Sequence, residues 1–176
     1  MLIFSALLVV LLLITRQWRQ LIFATTTLLC TALGNTLTKH FFGRVRPEVL
    51  SDPLTSYSMP SGHASGAFAL FLTLAVLAGR GQPPRMRLTW LLVACLPALA
   101  IALSRVYLGA HWPTDVLAGA MLASCVCAAS LWLCQRRTSL NAMPPRVWWL
   151  VLPALVALFG FFVLRHLPHT MLRYAY

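Results

Sequence analysis

The sequence predicts an all-α protein, a polytopic bundle of about six transmembrane helices, and two observations carry this prediction. The 176 residues are 60% hydrophobic and only 10% charged, and the mean hydropathy is +0.79. An ordinary soluble domain carries about 25% charged residues, so this composition fits a chain whose solvent is the lipid bilayer. The apolar residues also fall into six long runs, and the short segments between the runs hold most of the arginines.

The six runs predict the helices in chain order. A helix needs about 20 residues to cross a hydrocarbon core of ~30 Å, and most of the runs reach that length once their polar ends are included. The runs are Leu2 to Ile14, Leu21 to Thr38, Ala64 to Gly79, Leu88 to Ser104, Val116 to Cys134 and Val147 to Leu164. We expect residues 1–176 to form a single transmembrane domain.

The first run is the shortest, and its charges are arranged in an unusual order. No basic residue precedes it, whereas Arg16 and Arg19 follow it. This order is the reverse of a signal peptide, in which the positive charges come first. The sequence therefore predicts either a chain that is a piece of a longer protein or a helix whose N-terminus faces outward.

The basic residues predict the orientation of the bundle. Six alternating crossings place eight arginines on one side, and they place six basic residues on the other, three of which are candidate site residues. By the positive-inside tendency the first side is cytoplasmic, so the second is the periplasmic or external face of the inner (plasma) membrane. Topology thus explains the net charge of +11, and no nucleic-acid partner is expected. The first group is Arg16, Arg19, Arg80, Arg85, Arg87, Arg136, Arg137 and Arg146; the second is Lys39, Arg44, Arg46, Arg105, Arg165 and Arg173.

Three short polar strings, each at the edge of an apolar run, share the predicted external side. Phosphoryl transfer requires cationic and N–H donors around three oxygens, a nucleophile, and an acid for the leaving oxygen, and the strings contain each of these groups. The second string also opens an apolar run, as an anion cradle at a helix N-terminus does. The strings are Lys39 with Arg46-Pro47, then Pro60-Ser61-Gly62-His63, then Ser104-Arg105 with His111 and Asp115.

His111 and Asp115 are predicted to form a nucleophile and its orienting carboxylate. A histidine is nucleophilic only when neutral, and a carboxylate hydrogen-bonded to its other nitrogen fixes the required tautomer. Pro113 predicts that a helix begins between the two residues. The alternatives are an aspartate that only complements the helix dipole and, for His63, an interfacial histidine. For Arg44 we prefer the interpretation of an interfacial anchor whose charge reaches the membrane surface.

Written as patterns, the strings are K-x6-R-P, P-S-G-H and S-R-x5-H-x3-D. With these patterns the chain resembles the type 2 phosphatidic acid phosphatase family, whose superfamily also contains vanadium haloperoxidases, over roughly residues 20 to 135. The resemblance implies that His111 attacks phosphorus to form a phosphohistidine, that His63 protonates the leaving group and that Asp115 orients His111. It also implies that the phosphate is bound by Lys39, Arg46, Ser61, Gly62 and Arg105.

The expected function is that of an integral membrane lipid phosphatase that needs neither a cofactor nor a metal, because three acidic residues offer almost no metal ligands. Its substrate would be a lipid phosphate or a polyprenyl diphosphate. Undecaprenyl diphosphate is favoured, and phosphatidic acid and phosphatidylglycerol phosphate are the alternatives. Two other functions remain open: a phosphotransferase that passes the phosphoryl group to a second lipid, and a catalytically silent transporter or scaffold that retains the phosphate-binding residues.

Overall fold

A computed structural model describes residues 1–47, 56–137 and 139–174, with the side chains of residue 137 and residues 166–174 left out of the description. The described part of the chain therefore does not include Glu48, Asp52 or the side chains of Arg137 and Arg173. Within the described ranges the chain forms six helices and no strand, which confirms the predicted all-α bundle. The helices are α1 Leu2–Ile14, α2 Trp18–Phe42, α3 Gly62–Ala78, α4 Pro84–Tyr107, α5 Pro113–Arg137 and α6 Pro145–Tyr174.

Helix α2 extends beyond the apolar run that predicted it. It continues past Thr38 through Phe42 and ends at Gly43, whose φ of 53° is the left-handed conformation typical of a helix C-cap. The residues between Thr38 and Gly43 include no helix breaker, so the helix continues until the glycine ends it. Lys39 therefore lies in the last turn of α2.

Helix α3 begins at Gly62, within the second string and two residues before the apolar run that starts at Ala64. Ser61 is its N-cap, and the hydroxyl oxygen of Ser61 accepts a hydrogen bond of 3.4 Å from the main-chain N–H of Ala64. His63 is therefore held in a helical first turn. This turn fixes the position of its imidazole more tightly than a loop would.

Four of the helices are long and apolar enough to cross a membrane. They are Trp18–Phe42, Pro84–Tyr107, Pro113–Arg136 and Pro145–Arg165, and the shorter apolar helices are Leu2–Ile14 and Gly62–Ala78. At a rise of 1.5 Å per residue, α3 measures about 26 Å, slightly less than the hydrocarbon core. Large apolar side chains are exposed along the long helices, where lipid would contact them; they include Leu29, Leu33, Leu37, Leu92, Leu96, Leu103, Leu152, Val156 and Phe159.

The bundle is organised around α3, which contacts α1, α2, α4 and α5. Its interface with α4 and α5 consists mainly of small residues, among them Ala64, Ala67, Ala102 and Ala123. Small side chains let helix backbones approach closely, which is how helices gain packing energy where the solvent is itself apolar. A second core cluster, which includes Leu8, Leu12, Phe23, Leu77 and Val151, joins α1, α2, α3 and α6.

The connections α1–α2, α3–α4 and α5–α6 meet at one end of the bundle. The guanidinium of Arg19 donates to the carbonyl of Ser139 at 3.0 Å, and the amide of Gln20 donates to the carbonyl of Asn141 at 3.1 Å. A Cβ added at Gly81 would lie 3.1 Å from the Cβ of Ala142. The three polar strings lie at the opposite end, as the alternating arrangement of helices predicted.

Gly119 on α5 provides a test of the close packing around the start of α3. A Cβ at this position would lie 2.8 Å from the main-chain oxygen of Ser61 and 3.1 Å from the main-chain nitrogen of Ser65. These backbone atoms move only if α3 itself moves, so we expect Gly119→Ala to lower the free energy of unfolding by about 1–3 kcal/mol.

Gly160→Ala on α6 is the matched control. Among the described residues, no heavy atom outside its own stretch of helix lies within 4 Å of a Cβ there, so only the helix propensity of alanine acts, and stability should stay the same or rise by up to about 1 kcal/mol. Unfolding of both variants in detergent measures the difference. Equal stabilities would contradict the packing described here.

Candidate active site

The three polar strings meet around His111 and Asp115. His111 lies on the connection between α4 and α5, and Asp115 lies in the first turn of α5, which begins at Pro113 as predicted. The side chains of both residues are buried, with 5% of His111 and none of Asp115 exposed. The main-chain oxygen of Asp115 accepts a hydrogen bond of 2.9 Å from the main-chain N–H of Ser61, which joins the second string to the third.

The carboxylate of Asp115 is held by several donors. Its Oδ1 accepts from Nη1 of Arg44 at 2.9 Å, and its Oδ2 accepts from the main-chain N–H of Trp112 at 2.9 Å and from the hydroxyl of Ser58. The Nδ1 atom of His111 lies 3.6 Å from Oδ2, which is an ion-pair distance beyond the hydrogen-bonding range. The predicted hydrogen bond is therefore not formed, because two other donors already occupy Oδ2.

Arg44 is not the membrane anchor that the sequence predicted. In addition to Asp115, its Nη1 donates to the hydroxyl of Thr114, and its guanidinium carbon lies 5.5 Å from the centre of the Trp112 ring, within cation–π range. The chain turns at Gly43 and brings Arg44 back over the start of α5. The sequence does not reveal this turn, and so the prediction was wrong.

The contacts of His111 favour one tautomer. Its Nε2 lies 3.3 Å from Nη1 of Arg46, and a guanidinium can only donate. Nε2 therefore carries the lone pair, and Nδ1 carries the proton on the side that faces Asp115. Burial, with the charges of Arg46 and Lys39, lowers the pKa of His111 from 6.5 to about 4, although Asp115 and the main chain of Ser58 oppose this shift. At neutral pH the imidazole is uncharged.

Arg46 and Lys39, two of the predicted phosphate-binding cations, are anchored to the main chain on either side of His111. Arg46 donates from Nε to the carbonyl of Ser56 at 2.8 Å and from Nη1 to the carbonyl of Ala110 at 2.8 Å. Lys39 donates from Nζ to the carbonyl of Tyr57. These contacts hold both positive charges next to His111 without neutralising either of them.

Arg105, the third predicted cation, has an unused donor. Its Nε is buried and has no hydrogen-bond partner among the residues described. A buried donor normally finds a partner, so an unpaired guanidinium N–H indicates a position where an anion binds. The carbonyl of Arg105 also accepts from the main-chain N–H of Ala110 at 3.0 Å, which shapes the turn that carries His111.

The start of α3 is held in place by Asn35 of α2. The side-chain amide of Asn35 donates to the hydroxyl of Ser65 at 3.0 Å and to the carbonyl of Pro60 at 3.4 Å. Thr31, one turn earlier on α2, is buried too, so these two polar side chains of α2 face into the bundle. The N-terminus of α3, with its unpaired N–H groups, is thereby fixed beside the cations.

Gly62 and His63, the exposed residues of the second string, lie in the first turn of α3. A Cβ at Gly62 would lie 3.4 Å from Oδ1 of Asn35, so a larger residue here would press on the amide that holds the turn. The charges of Arg105, Arg46 and Lys39 all act on His63, which places it at the same cationic cluster. The predicted site residues are thus collected at one end of the bundle.

A groove runs between α1, α2 and α3 and reaches Gly62 and Ser65 at the start of α3. It has a volume of about 510 Å³, and its polar end is formed by Asn35, Gly62 and Ser65 at the start of α3. The rest of its wall is largely apolar and includes Leu2, Val9, Leu28, Leu29 and Ala69. Among the described residues no group of three or more His, Cys, Asp or Glu side chains is placed to hold a metal ion.

The sequence analysis did not identify Arg44 and Ser58 as site residues. Ser58 has no signal in the sequence beyond its position two residues before Pro60. For Arg44 a signal existed, because a carboxylate predicted at the edge of the membrane needs a cationic partner, and Arg44 was the basic residue near the strings that had no assigned role in the site.

The sequence model of the PAP2 superfamily matches residues 19–139 of this chain, and this range contains all three polar strings. The chain belongs to the PAP2 superfamily. Among similar PAP2 proteins, an undecaprenyl-diphosphatase of Sulfolobus acidocaldarius is 42% identical over 47% of the chain and 37% of its own length. Phosphatidylglycerophosphatase B of Bacillus subtilis is 35% identical over 56% of the chain and 48% of its own length. A lipid A 1-phosphatase of Rhizobium etli is 34% identical over 53% of the chain and 41% of its own length.

A solved PAP2 structure has the same fold. The crystal structure of a transmembrane PAP2 type phosphatidylglycerolphosphate phosphatase from Bacillus subtilis superposes with a TM-score of 0.56 at 26% identity, covering 71% of this chain and 61% of that one. The chain thus spans less than two thirds of the length of each of these relatives.

The protonation of His111 can be tested without any assumption about substrate. A lowered pKa means that the imidazole gains its proton only as the pH falls toward about 4, and ¹⁵N chemical shifts of histidine-labelled protein in detergent should follow that titration. The His111→Gln variant assigns the resonance. Arg46→Met removes a positive charge 3.3 Å from Nε2, so it should raise the pKa toward 6.5. A wild-type His111 that titrates at 6.5 or above would contradict this electrostatic description.

Proposed function

We propose that this chain is an integral membrane lipid phosphatase that hydrolyses the terminal phosphate of a lipid phosphate or diphosphate through a phosphohistidine at His111. One observation carries the proposal: a buried, neutral histidine presents an unprotonated Nε2 to a cluster of cations at the N-terminus of a helix. Membership of the PAP2 superfamily and the names of the similar proteins support it.

In the first half of the reaction, Lys39, Arg46, Arg105 and the cradle of Ser61 and Gly62 hold the phosphate oxygens and stabilise the charge of the transition state. The lone pair of Nε2 of His111 forms a bond to phosphorus as the bond from phosphorus to the lipid oxygen breaks. His63, whose protonated form is favoured by the negative charge of the bound phosphate, gives a proton to that oxygen. Asp115 lies 3.6 Å from Nδ1 and stabilises the positive charge that develops on the imidazole.

In the second half, a water molecule gives its proton to His63 and attacks phosphorus. The bond between phosphorus and Nε2 breaks, inorganic phosphate leaves, and His111 returns to its neutral form. His63 thus acts first as an acid and then as a base, which suits its exposed position at the start of α3.

The groove between α1, α2 and α3 supports a lipid as substrate. Its polar end lies at the cradle and its wall is apolar, so a substrate can place its phosphate at the cations and one chain along Leu28 and Leu29. We favour undecaprenyl diphosphate, which an external site in a bacterial membrane would meet. Phosphatidic acid and phosphatidylglycerol phosphate are the alternatives.

Release of inorganic phosphate from single lipids tests the proposal. Purified protein in vesicles that contain one lipid phosphate and no acceptor lipid should release phosphate, retain its activity in excess EDTA and be inhibited by vanadate, whose trigonal-bipyramidal form suits the cation cluster. A panel of undecaprenyl diphosphate, phosphatidic acid, phosphatidylglycerol phosphate and lipid A ranks the substrates.

Each alternative predicts a different result in this assay. Phosphate that is transferred only when a second lipid is added would make the chain a phosphotransferase, and no turnover of any lipid would favour a silent transporter or scaffold. Activity lost in EDTA and restored by a divalent ion would overturn the metal-free mechanism. His111→Ala should be inactive, and it controls for contaminating phosphatases.

We place the site on the external face of the inner membrane, on the strength of the arginines at the opposite end of the bundle. In a variant without native cysteines, Val45→Cys and Gln82→Cys report on the two ends, since both positions are exposed in connections between helices. An impermeant thiol reagent should label Val45→Cys on intact cells and should label Gln82→Cys only after permeabilisation. The opposite pattern would reverse the orientation and remove the argument for undecaprenyl diphosphate.

A further inference from the structure

We infer that Arg44 is a positioning residue for the phosphohistidine chemistry: it holds Asp115 in the orientation that His111 requires, and it does not bind the phosphate itself. The inference rests on the proposed function. It assigns a separate task to each of two arginines that are only two positions apart, Arg44 and Arg46.

The first step of the argument is the burial of Asp115. Its side chain is fully buried, and an ionised carboxylate in such a place is costly unless a positive charge compensates it. Lys39 and Arg46 act on this carboxylate only at longer range, because both are anchored to the main chain of residues 56–57. Among the described residues, Arg44 is the cation in direct contact with this carboxylate. Its Nη1 lies 2.9 Å from Oδ1 of Asp115.

The second step is the division of the two carboxylate oxygens. Arg44 binds Oδ1, whereas Oδ2 accepts from Trp112 and Ser58 and lies nearest to Nδ1 of His111. The contact with Arg44 thus fixes the rotation of the carboxylate and leaves Oδ2 facing the imidazole. Without Arg44, Trp112 and Ser58 still hold Oδ2, but Oδ1 loses its charged partner, so the carboxylate can turn about Oδ2 and shift relative to Nδ1 of His111.

The third step is that Arg44 is itself fixed and does not face the phosphate position. Its Nη1 is shared between Asp115 and the hydroxyl of Thr114, and its guanidinium lies over the Trp112 ring. Arg46, by contrast, lies 3.3 Å from Nε2 of His111, the atom that would attack phosphorus. Arg46 thus contacts the imidazole at Nε2, whereas Arg44 contacts the carboxylate that lies beside Nδ1.

The test compares Arg44→Met with Arg46→Met in the vesicle assay. Arg44→Met should lower kcat by about 10- to 100-fold, the size of effect expected when a reacting group is misplaced by about 1 Å, with KM and the inhibition constant of vanadate within about twofold of wild type. Arg46→Met should raise both KM and the vanadate constant. If Arg44→Met raises the vanadate constant as much as Arg46→Met does, Arg44 is a phosphate ligand and the inference fails.

A double-mutant cycle tests whether Arg44 acts through Asp115. Once Asp115→Asn has removed the carboxylate charge, Arg44→Met should reduce kcat by no more than about twofold further, because the two residues act as one unit. If the double variant loses kcat by the full product of the two single losses, the two residues act independently and the inference is wrong. Arg44→Lys keeps the charge and should have a kcat at least about threefold above that of Arg44→Met, which a loss of packing alone would not allow.

Two controls separate folding from positioning. Arg19→Met makes the same change at the other end of the bundle, where Arg19 contacts Ser139, and should leave kcat unchanged. If Arg44→Met does not fold, the cycle is run with Arg44→Lys, whose smaller loss of kcat should likewise disappear in the Asp115→Asn background. An inactive wild-type protein would contradict the proposed function, whereas an active wild type with an unimpaired Arg44→Met variant would contradict only this inference.

Discussion

The structure depends on one buried negative charge, the carboxylate of Asp115. A carboxylate at the edge of a membrane protein is stable only when donors and a positive charge surround it, and here each string or its flanking residues provides some of them. Arg44 comes from the segment after α2, Ser58 from the segment before α3, and the N–H of Trp112 from the turn before α5. Satisfying this one charge brings together three segments that are far apart in the sequence.

The same convergence gives His111 its chemical properties. Burial and the neighbouring cations keep the imidazole neutral, and the contact with Arg46 leaves Nε2 unprotonated. The small residues between α3, α4 and α5 let the helix ends approach closely, and Gly119 makes room for the main chain of Ser61. Packing in the apolar region therefore sets the distances between polar groups at the end of the bundle, where the phosphate would bind.

Much of the fold follows from the sequence, because the apolar runs and the positions of the arginines directly reflect the bilayer. The helix ends were less predictable: the apolar run stopped at Thr38, but α2 continues to Gly43, since polar residues without a helix breaker extend a helix. The three polar strings predicted the candidate site residues and predicted that these residues lie at the same end of the bundle. The role of Arg44 was missed because a contact with Asp115, 71 residues away, depends on a loop conformation that no periodic pattern encodes.

The central claim is that His111 receives the phosphoryl group, and trapping the phosphoenzyme tests it most directly. Protein mixed with a ³²P-labelled lipid phosphate, quenched in alkali during the first turnover and digested, should carry an acid-labile, alkali-stable label on the peptide that contains His111, at Nε2. The His111→Ala variant should carry none. A label on His63, or steady phosphate release with His111 unlabelled throughout the first turnover, would contradict the mechanism derived from this structure.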